Sequence, residues 1–245
     1  MNFEDHIVAF ADVLGASAAT IQKESAEVFG RRLATAHKLI AQEIGGSEPI
    51  EDRISMRFFS DSIIISSALG DPDNMAKVLN RLAMCQAILS VNGLFLRGGV
   101  DVGPYLQNET VDFGAPLVRA VKIERDFAKD TAKICLSDEL KALGRKFEFN
   151  ALFDAADGTV FLDFMSCLHS DAYIKRLRQR VVESLDHATR QFEQAKQDEK
   201  KSAEKVVAKL TWLANYFNYQ FERYEPIICS SDNFGPDRFQ RNFAQ

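Results

Sequence analysis

The sequence has few features of a metal-cluster, disulfide-rich or membrane protein. Only four cysteines occur in 245 residues, at positions 85, 135, 167 and 229, and none are spaced as C-x-x-C. This spacing argues against zinc and against a disulfide framework, and it predicts reduced, buried thiols. No apolar run approaches the roughly 20 residues that span a bilayer, and MNFEDHIVAF is acidic where a signal peptide is basic. We expect a cytoplasmic protein with no membrane partner.

The chain also lacks an excess of basic charge. Its 30 Lys and Arg residues are outnumbered by 35 Asp and Glu residues, giving a net charge of -5. Such a balance argues against a surface that collects nucleic acid phosphates. The four histidines form no metal-ligand spacing. Small molecules or proteins are therefore the expected partners.

The first half of the chain alternates short apolar runs with helical patterns. A β-branched run at 6–15 predicts a strand, and apolar residues at helical spacing over 21–44 predict a helix. Residues 54–67 read as two strands joined by a tight turn that contains Asp61. The remaining predicted elements are a helix over 75–89, a strand pair at 94–102 and 105–113 around Gly103 and Pro104, and a helix from 116 to about 127.

Short runs at 134–136 and 159–164 predict added edge strands. The order of elements is that of an α/β (α+β) sandwich, a largely antiparallel sheet covered by helices. We expect one domain over residues 1–170. Residues 171–225 step by three or four without Gly or Pro and predict a helical extension, either a hairpin or one long helix. Residues 226–245 predict an irregular tail.

Two isolated acids, Asp12 and Asp61, lie where predicted strands end, in apolar frames without other charges. If the two strands are neighbours, both carboxylates converge at one end of the sheet. A divalent cation would then relieve their repulsion, and oxygen ligands suit magnesium or manganese.

Four motifs carry a family resemblance: F-A-D-V-L-G-A-S, F-F-S-D-S, L-R-G-G-V-D-V-G and D-F-G-A-P-L-V-R-A-V-K-I-E. In order and spacing they resemble the catalytic motifs of class III nucleotidyl (adenylyl/guanylyl) cyclases over roughly residues 7–136. The resemblance implies that Asp12, Asp61 and the main-chain oxygen of Val13 hold two ions of Mn2+ or Mg2+. One activates the ribose 3′-hydroxyl, and the other neutralises the triphosphate as pyrophosphate leaves.

The match departs from the family at the groups that contact ribose and phosphate. The ribose-orienting asparagine falls on Val118, and the arginine that stabilises the transition state falls on Lys122. A lysine keeps the charge but loses the fork geometry of arginine. Arg119 or Arg97 is a candidate for the missing contact. We interpret Glu124 and Arg125 as part of a solvated helix face.

Base choice in the family implies roles for Arg57 and for Val111 or Asp112, and Phe10 is a further candidate at the nucleotide. At the position of Arg57 the family has lysine in adenylyl cyclases and glutamate in guanylyl cyclases, so Arg57 fits neither type. Arginine only donates hydrogen bonds, which suits the acceptor oxygens of pyrimidines.

Within the family the chain is most similar to the pyrimidine cyclases of Pycsar antiphage defence. This resemblance implies conversion of UTP, or next CTP, to a cyclic monophosphate that acts on a downstream effector. It also implies a homodimer with shared active sites, in which Arg57, Lys122 and Arg119 act across the interface. Two alternatives stay open. One is a degenerate cyclase domain that binds nucleotide or dimerises, and the other is a purine-specific adenylyl or guanylyl cyclase.

Overall fold

A computed structural model gives the fold. It describes residues 3–14, 23–44, 54–59, 62–70, 72–108, 111–128, 131–146, 149, 152–155 and 157–228. Asp61, Cys229 and most of the predicted tail therefore lie outside the described residues. None of the helices in these ranges is both long enough and apolar enough to span a bilayer.

Eight strands form one sheet within the described residues. They are β1 Glu4–Val13, β2 Ser55–Phe59, β3 Ser62–Ala68, β4 Leu96–Gln107, β5 Asp112–Gly114, β6 Ile134–Leu136, β7 Leu152–Asp154 and β8 Val160–Leu162. Their order is β2-β3-β1-β4-β6-β8-β7, and β5 pairs with β4 outside this path. Of these pairs, β4 with β6 is parallel and the others are antiparallel. The predicted α+β class with a largely antiparallel sheet is confirmed.

Six α-helices accompany the sheet in the described part of the chain. They are α1 Lys23–Ile44, α2 Pro72–Val91, α3 Ala115–Phe127, α4 Asp138–Lys146, α5 Asp171–Gln194 and α6 Lys200–Gln220. A proline lies in the first turn of α3, as the sequence predicts, because its missing N–H has no intrahelical partner there. The predicted order of strand, helix, two strands, helix, two strands and helix is confirmed up to α3.

One face of the sheet, called here the first face, packs against α1, α2 and the C-terminal helices. Strand β1 contributes Ile7, Ala9, Ala11 and Val13 to this face, every second residue along the strand, and all four are buried. Burial of an isoleucine of this kind contributes about 1.5–3 kcal/mol. The first face therefore accounts for most of the apolar core.

The opposite side, called here the second face, carries Val8, Phe10 and Asp12 of β1 and is covered in part by α3. A Cβ atom on Gly99 of β4 would lie 2.2 Å from the carbonyl oxygen of Ala120 and 2.7 Å from Cβ of Ile123. Glycine at this position therefore lets the α3 backbone approach the sheet. The α3 residues buried by this packing are Pro116, Ala120, Ile123 and Glu124.

The C-terminal segment is a helical hairpin, which decides between the two predicted alternatives. Asp171, at the start of α5, accepts hydrogen bonds from Arg223 at 3.3 Å and Tyr224 at 2.5 Å, just beyond the end of α6. The two helices therefore run antiparallel. The buried α5 residues belong to the same apolar cluster as the first face; they are Ile174, Leu177, Val181, Leu185 and Ala188.

The predicted strand break at Gly103 and Pro104 is wrong. Strand β4 continues through both residues, because its ladder with β1 extends from Val13↔Leu96 to Glu4↔Tyr105. Gly103 has a φ of 144°, a value that favours glycine and accommodates the irregularity inside the strand. The chain reverses further along, where Asn108 N donates to Val111 O at 3.0 Å.

The edge of the sheet also differs from the prediction. The two strands predicted at the edge, β6 and β8, are both interior. The strand at this end of the sheet is β7, which has no counterpart in the sequence-based elements. Helix α4 is likewise new. Both elements are short, and three residues of strand carry too little periodicity to separate them from a loop.

The predicted buried thiols are confirmed for two cysteines. Cys85 and Cys135 are buried and free of disulfides, and Cys167 is half-buried. Burial raises the pKa of the Cys85 thiol to about 12 and that of Cys135 to about 11. These two thiols therefore stay protonated at neutral pH, which disfavours thiolate chemistry.

Candidate active site

Four of the predicted site residues share the second face. Phe10 is opposite Ile64 of β3 and Gly99 of β4, and Ile64 is in turn opposite Arg57 of β2. Two residues further along β1, Asp12 is opposite Arg97. Directly opposed residues project to the same side of a sheet. Phe10, Asp12, Arg57 and Arg97 therefore lie on one surface.

Asp12 and Arg97 form an ion pair at the end of β1. Arg97 Nη2 donates to Asp12 Oδ2 at 3.1 Å, and Arg97 Nε lies 2.7 Å from Glu124 Oε1 on α3. The Asp12 side chain is 23% exposed. The Arg97 guanidinium thus joins two carboxylates, one of which can still be reached from solvent.

Glu124 is buried against the sheet, so its assignment to a solvated helix face is wrong. Because α3 packs on β4, Glu124 faces Arg97, whereas its neighbour Arg125 is exposed as predicted. Burial raises the pKa of the Glu124 carboxyl; Arg97 opposes this shift and the charge of Asp12 adds to it. Arg97 is the counter-ion that makes burial of this carboxylate tolerable.

A divalent cation at Asp12 would need further oxygen ligands. Asp12 supplies one carboxylate, and its direct partner on β3 is Ser62, the residue that follows Asp61 in the chain. Within the described residues, no group of three or more His, Cys, Asp or Glu side chains could hold a metal ion. Carboxylate chemistry at Asp12 fits magnesium or manganese. The main-chain oxygen of Val13 and Asp61 remain predicted ligands.

Arg57 and Asp112, the two positions predicted to contact the base, are ion-paired. Arg57 Nε lies 3.0 Å from Asp112 Oδ2, and Arg57 Nη2 donates to the carbonyl oxygen of Asn108. The Asp112 side chain is only 5% exposed, whereas Val111 is an exposed residue. Of the two alternatives that the sequence leaves open, Asp112 is therefore the one that contacts Arg57.

The buried Tyr105 ring adjoins this pair. Burial raises the pKa of the Tyr105 hydroxyl, the negative charge of Asp112 adds to the effect, and the charge of Arg57 opposes it. Tyr105 packs with Val8 and Ile64 in a small apolar cluster that Phe10 and Leu117 complete. Phe10 thus packs against this cluster on the second face, and Ile64 lies between it and Arg57 in the sheet.

Helix α3 carries the predicted phosphate-contacting residues. Arg119 forms an ion pair with the buried Asp101 of β4 and donates through Nη2 to Val102 O at 2.7 Å. Lys122 is exposed and makes no hydrogen bond or ion pair with a residue that the structure describes. Val118 is 68% exposed. Of the two arginines proposed for the missing phosphate contact, Arg97 is therefore paired with Asp12, and Arg119 is paired with Asp101.

Three polar residues of this surface are absent from the sequence-based set. Asp101 binds Arg119, Glu124 binds Arg97, and Gln107 Nε2 lies 3.1 Å from Asp112 Oδ1. Asp101 and Glu124 were within the quoted motifs, and a strand alternation starting at Arg97 would have placed Asp101 on its face. Gln107 gave no signal, because its partners are distant in sequence.

Comparison with known proteins finds no matching family model and no matching curated protein. Solved structures that resemble the chain include the adenylyl cyclase CyaB from P. aeruginosa, at 16% identity over 65% of this chain and 93% of that one, with a TM-score of 0.45. A bacterial light-regulated adenylyl cyclase matches at 14% identity over 74% of this chain and 100% of that one, with a TM-score of 0.42.

Proposed function

We propose that this chain is a nucleotide cyclase of the class III type that converts UTP or CTP to the 3′,5′-cyclic monophosphate and pyrophosphate. The observation that carries the proposal is the second face, where Asp12 and the Arg57–Asp112 pair belong to one surface. Such a site needs two parts. One is a carboxylate that can bind a cation, and the other is a donor–acceptor pair that can bind a base. The motif resemblance supplies the reaction.

In this reaction the ribose 3′-oxygen bonds to the α-phosphorus, and the bond from that phosphorus to the bridging oxygen breaks. Pyrophosphate leaves with the electron pair, and the 3′-hydroxyl proton passes to solvent. Asp12, the main-chain oxygen of Val13 and Asp61 would hold two ions of Mn2+ or Mg2+. When bound, these ions supply activation of the hydroxyl and neutralisation of the triphosphate. Lys122 and Arg119 would contribute positive charge at the phosphates.

The Arg57–Asp112 pair supports selection by the hydrogen-bonding edge of the base. Arg57 only donates and ionised Asp112 only accepts. Uracil offers a carbonyl oxygen beside its N3–H, and cytosine offers N3 beside its amino group, so each pyrimidine matches a donor beside an acceptor. Adenine offers a comparable pair at N1 and its amino group. Product analysis therefore decides between a pyrimidine and a purine cyclase.

The proposal includes a homodimer with shared active sites. Phe113 is 63% exposed, its ring centroid lies 6.3 Å from that of exposed Phe3, and Val118 and Val121 of α3 are also exposed. An apolar surface next to a charged site is typical of protein contact surfaces. A second copy there would bring its own Lys122 toward the site. Light scattering is expected to give twice the chain mass, reduced to one chain mass by Phe113→Asp.

The resemblance to Pycsar cyclases motivates the biological part of the proposal. The cyclic nucleotide would be a cytoplasmic signal in antiphage defence and would act on a separate downstream effector. Expression of the chain with its genomic neighbours is expected to lower phage plaque numbers. Protection that persists with Asp12→Asn would contradict a signalling role for the product.

The enzymatic proposal is tested with purified protein, Mn2+ and each of the four nucleoside triphosphates separately, with products identified by mass spectrometry. We expect cyclic UMP or cyclic CMP to dominate. Asp12→Asn removes one carboxylate charge from the cation site and is expected to lower the rate at least about 100-fold. The matched control is Asp186→Asn, an exposed acid on α5. Wild-type protein that forms no cyclic product from any of the four would overturn the proposal.

A second candidate is a nucleotide-binding or dimerisation module without turnover. It is favoured by Val118, an exposed apolar side chain where the family has a ribose-orienting asparagine. Calorimetry separates the two candidates. Micromolar binding of a nucleoside triphosphate without cyclic product would favour the module.

A further inference from the structure

We propose that Gln107 is a positioning residue for base selection, which acts by fixing the Arg57–Asp112 pair. This inference rests on the proposed function and deepens it. Gln107 belongs to none of the cyclase motifs, and it does not itself occupy either base-contacting position. Its role follows from a polar cluster at the end of β4, called here the Gln107 cluster, which comprises Gln107, Asp112, Arg57, Ser55 and Ser66.

The amide of Gln107 joins strands that are far apart in the sequence. Its Nε2 lies 2.8 Å from Ser66 Oγ on β3, 3.0 Å from Ser55 Oγ on β2 and 3.1 Å from Asp112 Oδ1 on β5. Ser55 and Ser66 are direct partners in the β2–β3 ladder. These contacts hold the β4–β5 hairpin over β2 and β3, the strands that flank Asp61 in the sequence.

The orientation of the Gln107 amide is determined by its neighbours. An amide nitrogen has two hydrogens to donate, and its carbonyl oxygen only accepts. Ionised Asp112 needs a donor, so the nitrogen must face it. The opposite orientation would bring two acceptors together. The serine hydroxyls can adapt to either orientation, whereas the carboxylate cannot.

The two oxygens of Asp112 then lie next to two different nitrogens, one in a hydrogen bond and one in an ion pair. Oδ1 faces Gln107 Nε2, and Oδ2 faces Arg57 Nε at 3.0 Å. Asp112 is almost fully buried, so loss of the Gln107 donor leaves one buried carboxylate oxygen with a missing partner. The carboxylate would rotate to recover a hydrogen bond, and Arg57 would move with it. Gln107 therefore controls, through Asp112, the direction in which the more exposed Arg57 guanidinium faces a base.

The orientation of the Arg57–Asp112 pair affects discrimination between bases more than it affects the overall affinity for a nucleotide. A site that hydrogen-bonds a substrate rejects the wrong one because its own polar groups would remain unpaired. A pair that can rotate finds partners on several bases and loses that penalty. Loss of Gln107 should thus relax selectivity while leaving Asp12 and the Asp12–Arg97 ion pair in place.

The test measures kcat and KM for UTP, CTP, ATP and GTP with three variants. Gln107→Met keeps the length of the side chain without a donor, and Gln107→Glu adds a carboxylate beside Asp112. The matched control is Gln179→Met on α5, where Gln179 is exposed and bonds Glu183. We expect Gln107→Met to reduce about tenfold the ratio of kcat/KM for the preferred pyrimidine nucleotide to kcat/KM for a purine nucleotide. The change should appear in KM, with kcat nearly unchanged. Gln107→Glu should reduce it further, because adjacent carboxylates repel.

A double-mutant cycle shows whether Gln107 acts through Asp112. In the Asp112→Asn background, Gln107→Met is expected to change the selectivity ratio less than about twofold. Thermal melts of each variant test for loss of fold, and Ser66→Ala provides a milder perturbation of the same amide. Unchanged selectivity in Gln107→Met, or an equal rate loss with all four nucleotides, overturns the inference and leaves the cyclase function standing. Wild-type protein without any cyclic product overturns both.

Discussion

Strand β1 presents two chemically different surfaces to the rest of the protein. Toward the first face it directs Ile7 and Ala9 into the apolar core under α1, α2 and the helical hairpin. Toward the second face it directs Phe10 and Asp12, which meet a small apolar cluster and the Arg97 guanidinium. Residues adjacent in sequence thus belong to environments with different physical rules.

The difference separates the face that holds most of the apolar core from the face that holds the candidate site. Apolar packing on the first face is non-directional, so many sequences satisfy it. The second face holds charges that are costly to bury and are therefore arranged in specific pairs: Arg97 with Asp12 and Glu124, Arg57 with Asp112, and Arg119 with Asp101. Chemistry requires such directional groups, which is why the candidate site belongs to this surface.

The comparison is tested most strongly by two adjacent isoleucines on β3. Ile65 is buried in the first-face cluster, and Ile64 belongs to the small second-face cluster. Ile65→Ala is expected to lower the free energy of unfolding by about 4 kcal/mol, and Ile64→Ala by about 2 kcal/mol, because fewer neighbours surround the cavity on the second face. Urea denaturation measures both values. Equal losses would contradict the assignment of the main core to the first face.

Much of the fold was predictable because apolar periodicity reports burial. The alternation along β1 and the three-to-four-residue repeat of α5 each follow from one buried surface, and both elements form as expected. The hairpin decision was not predictable in the same way. A hairpin and one long helix give the same repeat. Tertiary contacts such as those of Asp171 with Arg223 and Tyr224 distinguish them.

Residues of the candidate site could be named from the sequence where a motif covers them and not where their partners are remote. Asp12, Arg57 and Asp112 came from motif positions, and the structure pairs the last two. The burial of Glu124 depends on the close approach of α3 to Gly99, which no local pattern encodes. Gln107 binds serines more than 40 residues away in the chain. Pairings of this kind follow from the tertiary fold, and sequence periodicity does not contain them.

A smaller difference in stability is expected between substitutions of two lysines, one buried and one exposed. Lys133 is 1% exposed; its Nζ donates to Asp157 Oδ2 and Thr159 Oγ1 at 2.8 Å and lies 6.0 Å from the Trp212 ring centroid. Lys133→Met is expected to lower the free energy of unfolding by about 1–3 kcal/mol, because these contacts are lost. Lys122 on α3 is exposed, so Lys122→Met should change stability by less than about 0.5 kcal/mol.

The lysine comparison has a second readout in enzyme activity. Lys122→Met is expected to lower cyclase kcat while unfolding with the wild-type urea midpoint, since its charge is proposed to act at the phosphates. Lys133→Met should show the reverse pattern, with a lower midpoint and near-normal kcat at a temperature where it is folded. If Lys122→Met lowers only the midpoint, Lys122 is a structural residue and its proposed catalytic role is wrong.

The smallest expected effect concerns the acid partner of Lys133. Burial opposes ionisation of Asp157, but hydrogen bonds from Lys133 and Thr159 outweigh it, so the pKa of this carboxyl lies below its ordinary value of 3.8. A lowered pKa in the folded state means that the ionised group stabilises the fold above that ordinary value. The contribution is lost as the pH falls through the folded-state pKa. Asp157 is half exposed, so solvent screening keeps the effect modest.

Urea midpoints at neutral pH and at about pH 3 measure this contribution in wild type and in Asp157→Asn. The wild type should be the more stable protein at neutral pH, and the difference should shrink in acid. Asp186→Asn, at an exposed position on α5, is the matched control and should give the same small difference at both pH values. A difference for Asp157→Asn that is independent of pH would mean that its hydrogen bonds do not depend on the carboxylate charge. In that case the Lys133 contacts would act by packing, as the residues of the first face do.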